Sequence, residues 1–463
     1  MQAKESSILE KTILKLLPLW RDSNEGRRSR DQLELSEDLT AADEQVLKQW
    51  IDACLSDEGG EVAARAKAAA LGNGFLSLSD KGRMRFLKLL SEHYGTNEQQ
   101  LSELIQQWQS TSGNERSQLE SSLRAALEPV RMKLLTQFSE LPQGVKFLVD
   151  MRAELLALKK EAPELTPLEQ DLKRLLTSWF DIGLLQLEQI TWHSSAEILE
   201  KLIAYEAVHA IRSWDDLKNR LDSDRRCFAF FHPSMPNEPL IFVEVALVNG
   251  LSDNVQHLLD ISAPVEDIKQ ADTAIFYSIS NAQKGLAGIS FGNFLIKRVV
   301  KLLQAEFPQL QQFSTLSPIP GLCRWIQKDP DLLAELSWLE KLQSQQISDA
   351  QITPAQKEQL MTIAAYYLSS VRQQNKHGRA GSAKDPVAHF HLSNGAQLER
   401  LNWMADSSVN GLKQSGGLMV NYLYKLEKIE SNSRKYSEQG TINISGKVRK
   451  LLKAPALKLK EAS

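Results

Sequence analysis

The chain has 463 residues, of which 42% are hydrophobic and 24% are charged. This composition is typical of a globular protein and excludes the disordered and fibrous classes. The length predicts two domains, because a single core rarely organises more than about 300 residues. A formal net charge of -3 provides no overall field that would attract nucleic acid or an anionic membrane.

Cysteine usage and the terminal residues bear on the compartment. Cys54, Cys227 and Cys323 are widely spaced, which fits neither a disulfide framework nor a Cys-x-x-Cys metal site and indicates a reducing environment. A mitochondrial presequence is rich in arginine and poor in acids, yet Glu5 and Glu10 precede the first arginine. No run approaches the roughly 20 apolar residues of a membrane span. We expect a cytoplasmic protein.

The first 180 residues carry a helical pattern. Apolar residues recur at the i, i+3, i+4, i+7 spacing of one helix face within residues 101–108 and again within 147–158. Thr166, Pro167 and Glu169 have the order of a capping box with proline at the first helical position, so a helix should start there. We predict a helical domain over residues 1–180.

From about residue 225 short apolar runs replace the helical spacing. Strands are predicted at 227–231, 240–247, 274–280 and near 313–316, with a helix between the last two. A strand, loop, helix and strand in succession indicate a mixed α/β domain, which we place at residues 181–463.

A glycine-containing turn separates the third predicted strand from the helix that follows. Its glycines would let the backbone approach a ligand, and the free N–H groups at the start of the helix suit a pyrophosphate. A turn that only serves packing remains an alternative, and the pattern is not GxGxxG. The residues that would line an anion site are Ala287, Gly288, Ile289, Ser290, Phe291, Gly292 and Asn293.

Ser317 follows the fourth predicted strand, in Leu316-Ser317-Pro318-Ile319-Pro320-Gly321. The prolines would fix its hydroxyl at the carboxyl end of a strand, where α/β domains tend to bind ligands. A rigid turn with an incidental serine is the alternative. The chain lacks GxSxG at this position, so an acyl-serine hydrolase is not indicated.

His389 and His391 are the next candidates. On a strand they would face the same side and could bind a metal, although no local carboxylate or cysteine completes the set. A single histidine acting as proton donor requires less, because its ordinary pKa lies near neutrality. Polar residues that interrupt the apolar runs further along the chain could line a pocket: Asn402, Asp406, Asn421 and Tyr424.

These segments resemble the malonyl-CoA decarboxylase family. The similarity begins near Leu175 and continues in order to Tyr424, whereas the first 170 residues match only as a helical bundle. The matching segments are 175–195, 205–209, 225–227, 237–240, 274–280, 294–300, 316–321 and 390–424.

The resemblance implies a helical N-terminal domain followed by a catalytic domain with the fold of the GCN5-related acetyltransferases (GNAT). In that fold a turn after the fourth strand cradles the CoA pyrophosphate, which here would be Ala287–Asn293. The glycines are spaced more widely than is usual in acetyltransferases. The family's catalytic serine, histidine and tyrosine correspond to Ser317, His391 and Tyr424.

The implied reaction converts malonyl-CoA to acetyl-CoA and CO2 without a metal or other cofactor, since the thioester is the electron sink. We assign Ser317 to the malonyl group and His391 to proton donation at C2, although these roles could be exchanged. A homo-oligomer, with a tetramer preferred, is implied by resemblance. The alternatives are a CoA-dependent acyltransferase of GNAT fold and a non-catalytic acyl-CoA-binding protein.

Overall fold

The structure, a computed structural model, describes residues 33–56, 60–289, 295–373 and 381–453. The chain divides into two compact units. The helical unit contains the described residues up to Leu185 together with His232–Pro236 and Gln283–Ile289. The sheet unit contains the described residues of Gln186–Phe231, of Asn237–Ala282 and from Leu295 onward.

The helical unit confirms the helical pattern of the N-terminal sequence. Its core contains Phe75, Phe86, Phe138 and Phe147, whose rings meet edge to face at centroid distances of 5.1–5.7 Å. Such edge contacts add to the stabilisation that burial provides. The helices are α1 (Ala41–Leu55), α2 (Gly60–Ser77), α3 (Asp80–His93), α4 (Glu98–Ser110), α5 (Asn114–Ala126), α6 (Arg131–Ser139), α7 (Gly144–Leu158) and α8 (Thr166–Trp179).

Two details of this unit differ from the sequence prediction. Helix α8 begins at Thr166 as predicted, but no side chain caps it, because a short 3-10 turn at Pro163–Leu165 leads into it. Helix α4 contains the predicted apolar stripe, yet none of its residues is buried. The guanidinium of Arg116 on α5 lies 3.9 Å from the centre of the Trp108 ring. The α4 stripe is therefore not part of the core.

The sheet unit contains further helices, which lie between and after its strands in sequence. Most begin at a serine, threonine, asparagine or aspartate whose side chain accepts from the first turn, as helix starts require. They are α9 (Ala196–Tyr205), α10 (Trp214–Arg220), α11 (Val255–Leu258), α12 (Leu295–Glu306), α13 (Leu322–Ile326), α14 (Pro330–Glu335), α15 (Ser337–Gln343), α16 (Pro354–Ser370), α17 (Pro386–Ser393), α18 (Val409–Ser415), α19 (Ile429–Gln439) and α20 (Gly446–Leu452).

The strands form one eight-stranded sheet in the order β1-β2-β3-β4-β5-β8-β6, and β7 also pairs with β8. Among the strand pairs of the described residues, only β4–β5 is parallel. Helix α12 lies between these two strands in sequence, as predicted for the strand, loop, helix and strand. The strands are β1 (Gln186–Ile190), β2 (Arg225–Phe231), β3 (Ile241–Val248), β4 (Thr273–Asn281), β5 (Gln312–Thr315), β6 (Ser317–Pro318), β7 (Gln397–Asn402) and β8 (Met419–Leu423).

The coarser part of the predicted fold class, a helical N-terminal region followed by a mixed α/β domain, is confirmed. The strand considered for His389 and His391 does not form, because this segment lies in α17. Asp385 accepts from the N–H groups of Val387 and Ala388, and Pro386 occupies the first turn, so the local sequence starts a helix. In the described part of the chain, no helix is long and apolar enough to cross a membrane.

Candidate active site

Ser317 lies in β6, where it pairs with Val420 of β8. Its Oγ is 2.8 Å from Oγ1 of Thr315 and 3.1 Å from Nε2 of His391. Thr315 Oγ1 also accepts from the main-chain N–H of Tyr422 at 3.2 Å. The serine hydroxyl is therefore held between a threonine of the preceding strand and the imidazole.

His391 lies in α17, and its side chain is 2% exposed. Its Nδ1 is 2.8 Å from the hydroxyl of Tyr424. Its ring stacks on that of Tyr422, with centroids 4.7 Å apart and planes 25° apart. The three residues predicted as catalytic, Ser317, His391 and Tyr424, thus lie in one hydrogen-bonded chain.

Burial determines the protonation states of His391 and Tyr424. It lowers the pKa of His391 to about 3 and raises the pKa of Tyr424 well above its usual value. At neutral pH the imidazole is therefore uncharged, with one N–H and one lone pair. The ordinary pKa that suggested a proton donor does not hold for His391. A neutral imidazole can instead pass a proton from one ring nitrogen to the other.

His389 does not share the site of His391. On a helix, residues i and i+2 point about 200° apart, and Nδ1 of His389 is 2.9 Å from the hydroxyl of Tyr436. The geometric premise of the two-histidine metal site is therefore wrong. Across the ranges that the structure describes, no three His, Cys, Asp or Glu side chains cluster as metal ligands would.

The structure adds three residues that the sequence interpretation missed. Thr315 and Tyr422 contact Ser317 and His391, respectively, and Asp385 begins the helix that carries His391. Each had a local signal. Thr315 and Tyr422 stand two residues from Ser317 and Tyr424, the spacing of side chains on one strand face. Asp385 precedes a proline, and proline is common at the first position of a helix.

The other interrupting polar residues have hydrogen-bond partners in the interior. The Asn421 amide donates to the main-chain oxygen of Thr315 at 2.7 Å, and its oxygen accepts from Asn402 at 2.8 Å. The carboxylate of Asp406 accepts from Gln256 at 3.0 Å. These contacts satisfy polar groups that would otherwise be buried without partners. Of the four interrupting residues, Tyr424 is the one that hydrogen-bonds His391.

The glycine turn belongs to the helical unit as far as Ile289, whereas Ser290, Phe291, Gly292 and Asn293 lie outside the described residues. Gly288 has a φ of 73°, which favours glycine. The buried guanidinium of Arg152 donates to the carbonyls of Gly285 and Ala287, and it pairs with Glu169 at 2.9 Å. These contacts fix the turn.

A lysine borders the same turn. A Cβ added at Gly288 would lie 3.4 Å from Nζ of Lys173, which is on α8. The Lys173 ammonium pairs with no acidic side chain of the described residues. Lys173 was absent from the sequence prediction because it is 115 residues before Gly288. Its positive charge would favour an anion at this turn.

Acidification should destabilise the fold through His391. Between its ordinary pKa of 6.5 and about 3, the unfolded chain binds a proton at this position and the folded chain does not. The free energy of unfolding should therefore fall by about 1.4 kcal/mol per pH unit below 6.5. Urea denaturation at pH 7, 6 and 5 should show a steeper decline for the parent than for His391→Asn. Equal slopes would contradict a neutral buried imidazole.

Two family models match consecutive parts of the chain. Family models described as "Malonyl-CoA decarboxylase N-terminal domain" and "Malonyl-CoA decarboxylase C-terminal domain" match residues 94–180 and 183–462. The mitochondrial malonyl-CoA decarboxylase of Mus musculus is 41% identical over 367 residues, covering 72% of this chain and 73% of that protein. That of Rattus norvegicus is 39% identical over 412 residues, covering 80% and 82%.

Solved structures agree. The malonyl-CoA decarboxylase of Rhodopseudomonas palustris is 40% identical with a TM-score of 0.80, covering 88% of this chain and 99% of that chain. That of Agrobacterium vitis is 38% identical with a TM-score of 0.79 and the same coverage. The match over both parts of the sequence shows that this chain belongs to the malonyl-CoA decarboxylase family.

Proposed function

We propose that this chain is a carboxy-lyase that converts malonyl-CoA to acetyl-CoA and CO2, with Ser317, His391 and Tyr424 as its catalytic groups. The observation that supports this most is the buried chain from Ser317 Oγ through both ring nitrogens of His391 to the Tyr424 hydroxyl. Family membership supplies the substrate class.

The reaction requires two things of the protein. Loss of CO2 from a malonyl thioester leaves an enolate, so a donor must stabilise the developing charge on the thioester oxygen. A proton must then reach C2. The thioester accepts the electron pair of the breaking C–C bond, so the residues need only position the substrate, stabilise charge and deliver the proton.

Geometry favours Ser317 over His391 as the group that delivers this proton. Both ring nitrogens of His391 already have protein partners, at 3.1 Å and 2.8 Å. The Ser317 hydroxyl can turn its hydrogen to C2 while its oxygen accepts from Nε2. This exchanges the two roles that the sequence assigns to Ser317 and His391.

The proton that Ser317 gives up is replaced by transfers from His391 and Tyr424. As its O–H bond breaks and the C2–H bond forms, Nε2–H gives its proton to the serine oxygen and Nδ1 takes that of Tyr424. A thioester enolate is a stronger base at carbon than a phenolate, so the transfer is favourable despite the raised pKa of Tyr424. Solvent then protonates Nε2 while Nδ1–H returns its proton to the phenolate, which restores both groups and accounts for the one proton that each turnover consumes.

The test is release of CO2 from malonyl-CoA, with and without an acceptor amine, in the presence of a chelator. Release without amine supports the decarboxylase. Release of CoA only with amine indicates an acyltransferase of the same fold, and binding without turnover indicates an acyl-CoA sensor. Loss of activity on chelation, restored by a stoichiometric metal, would overturn the cofactor-independent mechanism.

We propose that the CoA phosphates bind at the turn of Ala287, Gly288 and Ile289, continuing through Ser290, Phe291, Gly292 and Asn293. The described part of the turn has a glycine at positive φ and carbonyls held by Arg152. The ammonium of Lys173, which lies beside the turn, pairs with no acidic side chain of the described residues. Main-chain N–H groups and a lysine are a common combination for phosphate. The phosphate site thus includes a residue of helix α8.

Lys173→Ala should raise the KM for malonyl-CoA by about ten- to a hundredfold, the range of one charge-assisted hydrogen bond, with little change in kcat. This variant is a cleaner test than a bulky residue at Gly288, where the φ of 73° strains any side chain. Arg174→Ala, which removes an exposed charge from the same helix, is the matched control. An unchanged KM for Lys173→Ala would place the phosphates elsewhere.

We also propose a helical domain at 1–180 that assembles copies of the chain, and a catalytic domain at 181–463. The half-buried apolar stripe on α4 supports an assembly surface, with a tetramer the expected form. A cytoplasmic location is supported by Cys54, Cys227 and Cys323, which are all unpaired and buried. Light scattering of the purified protein measures the oligomer directly.

A further inference from the structure

Asp385 makes more contacts than a helix cap requires. Its Oδ1 accepts from the N–H groups of Val387 and Ala388, both at 3.0 Å, which is the ordinary capping arrangement. Its Oδ2 accepts from the N–H of Gly321 at 3.1 Å. The residue is 0% exposed. One carboxylate thus joins the start of α17 to a second segment of the sheet unit.

That second segment is the end of residues 317–321, which we call the serine loop. Gly321 follows Ser317 by four residues, two of which are prolines that restrict the backbone between them. A Cβ at Gly321 would lie 2.1 Å from the Tyr367 hydroxyl and 3.1 Å from Oδ2 of Asp385. Only glycine fits between these groups. The contact between Gly321 and the carboxylate is therefore close and specific.

The helix that Asp385 caps contains His391. Asp385 caps α17, and His391 lies six residues further along the same helix, a rise of about 9 Å. A short rigid loop thus runs from the carboxylate to Ser317, and a short helix runs from it to His391. Any shift at Asp385 would change the separation of Ser317 Oγ and His391 Nε2.

We propose that Asp385 is a positioning residue that sets the distance between Ser317 and His391. This inference rests on the proposed function of those two residues. A cap alone would be supplied equally well by asparagine or serine, which carry no buried charge. A buried carboxylate costs free energy unless it is well hydrogen-bonded. The second oxygen, which does not cap the helix, accepts from the serine loop at Gly321, and the Tyr367 hydroxyl also hydrogen-bonds this carboxylate.

Asp385→Asn separates the two roles. The amide oxygen still caps α17, but the NH2 group that replaces Oδ2 cannot accept from Gly321. We expect kcat to fall by about ten- to a hundredfold, as small misplacements of catalytic groups do, with KM nearly unchanged and Tm modestly lowered, because the Gly321 N–H loses its acceptor. Asp329→Asn is the matched control, since Asp329 caps α14 before a proline through Asp331 and Leu332. It should keep parental kcat.

Several outcomes decide the proposal. A folded Asp385→Asn enzyme with kcat within twofold of the parent overturns it, as does an equal loss in Asp329→Asn. If Asp385→Asn does not fold, Asp385→Ser, which caps without reaching Gly321, replaces it, and failure of both variants to fold shows a structural role only. The 15N shifts of the His391 ring test the positioning even if the parent does not decarboxylate malonyl-CoA: unchanged shifts overturn it, and changed shifts support it.

Discussion

Replacing His391 with asparagine should lower the rate of CO2 release by about a hundred- to ten-thousandfold, the range for a lost proton-transfer group. Asparagine keeps a polar side chain whose amide takes the place of Nδ1 and can still hydrogen-bond Tyr424, but it does not reach Ser317. It cannot pass a proton between two atoms as the imidazole does between Nε2 and Nδ1. The loss should therefore fall on kcat, whereas affinity for acetyl-CoA changes by only a few-fold.

His389→Asn is the control for this experiment. It makes the same change two residues away on α17, where the imidazole contacts Tyr436 instead of the site. Its kcat should remain near that of the parent. Calorimetry with acetyl-CoA separates binding from chemistry. A His391→Asn enzyme that folds and turns over near the parental rate would exclude His391 from the mechanism, and Tyr424 would be the next residue to test.

The sequence predicted those elements whose patterns are dictated locally. Strands β2, β3 and β4 are continuous apolar runs because both faces are buried, and α12 shows a clear helical face. Strand β7 was missed because Gln397, Glu399 and Arg400 interrupt its apolar residues. Strand β8 has only five residues, too few to show a clear alternation, and it was not predicted.

The error at His389 and His391 has a specific cause. Two histidines separated by one residue imitate the alternation of a strand, while the capping signal of Asp385 and Pro386 lies just upstream. A run of only eight helical residues is too short to show its period clearly. The helix matters for function because it directs the two imidazoles to different partners.

Pairing and electrostatics could not be obtained from the residues alone. Ser317 and His391 are 74 positions apart, so their contact depends on the tertiary fold. The family resemblance named both residues, but the low pKa of His391 arises from burial, which the sequence does not show. The protein partners of both His391 ring nitrogens are the reason why the proposed donor is Ser317, and the low pKa agrees with a neutral His391 acting as the relay.

Ser317→Ala should lower CO2 release by about a hundred- to ten-thousandfold, because it removes the group that delivers the proton. The contact of His391 with Tyr424 should persist, so the variant should fold and still bind acetyl-CoA. Ser314→Ala is the control, because Ser314 is a buried serine of the preceding strand whose hydroxyl contacts the main chain at Tyr422. It should cost stability of about 1 kcal/mol but little activity.

Ser317→Cys tests the nature of the missing group. A thiol has nearly the volume of the hydroxyl and carries a transferable proton, so this variant should retain more activity than Ser317→Ala. In deuterated water, acetyl-CoA from the parent should carry one solvent deuteron at C2 for each CO2 released. If Ser317→Ala keeps near-parental turnover, Ser317 is not the donor. If the cysteine and alanine variants are equally slow, the hydroxyl acts by stabilising the enolate charge, and the proton reaches C2 from another group.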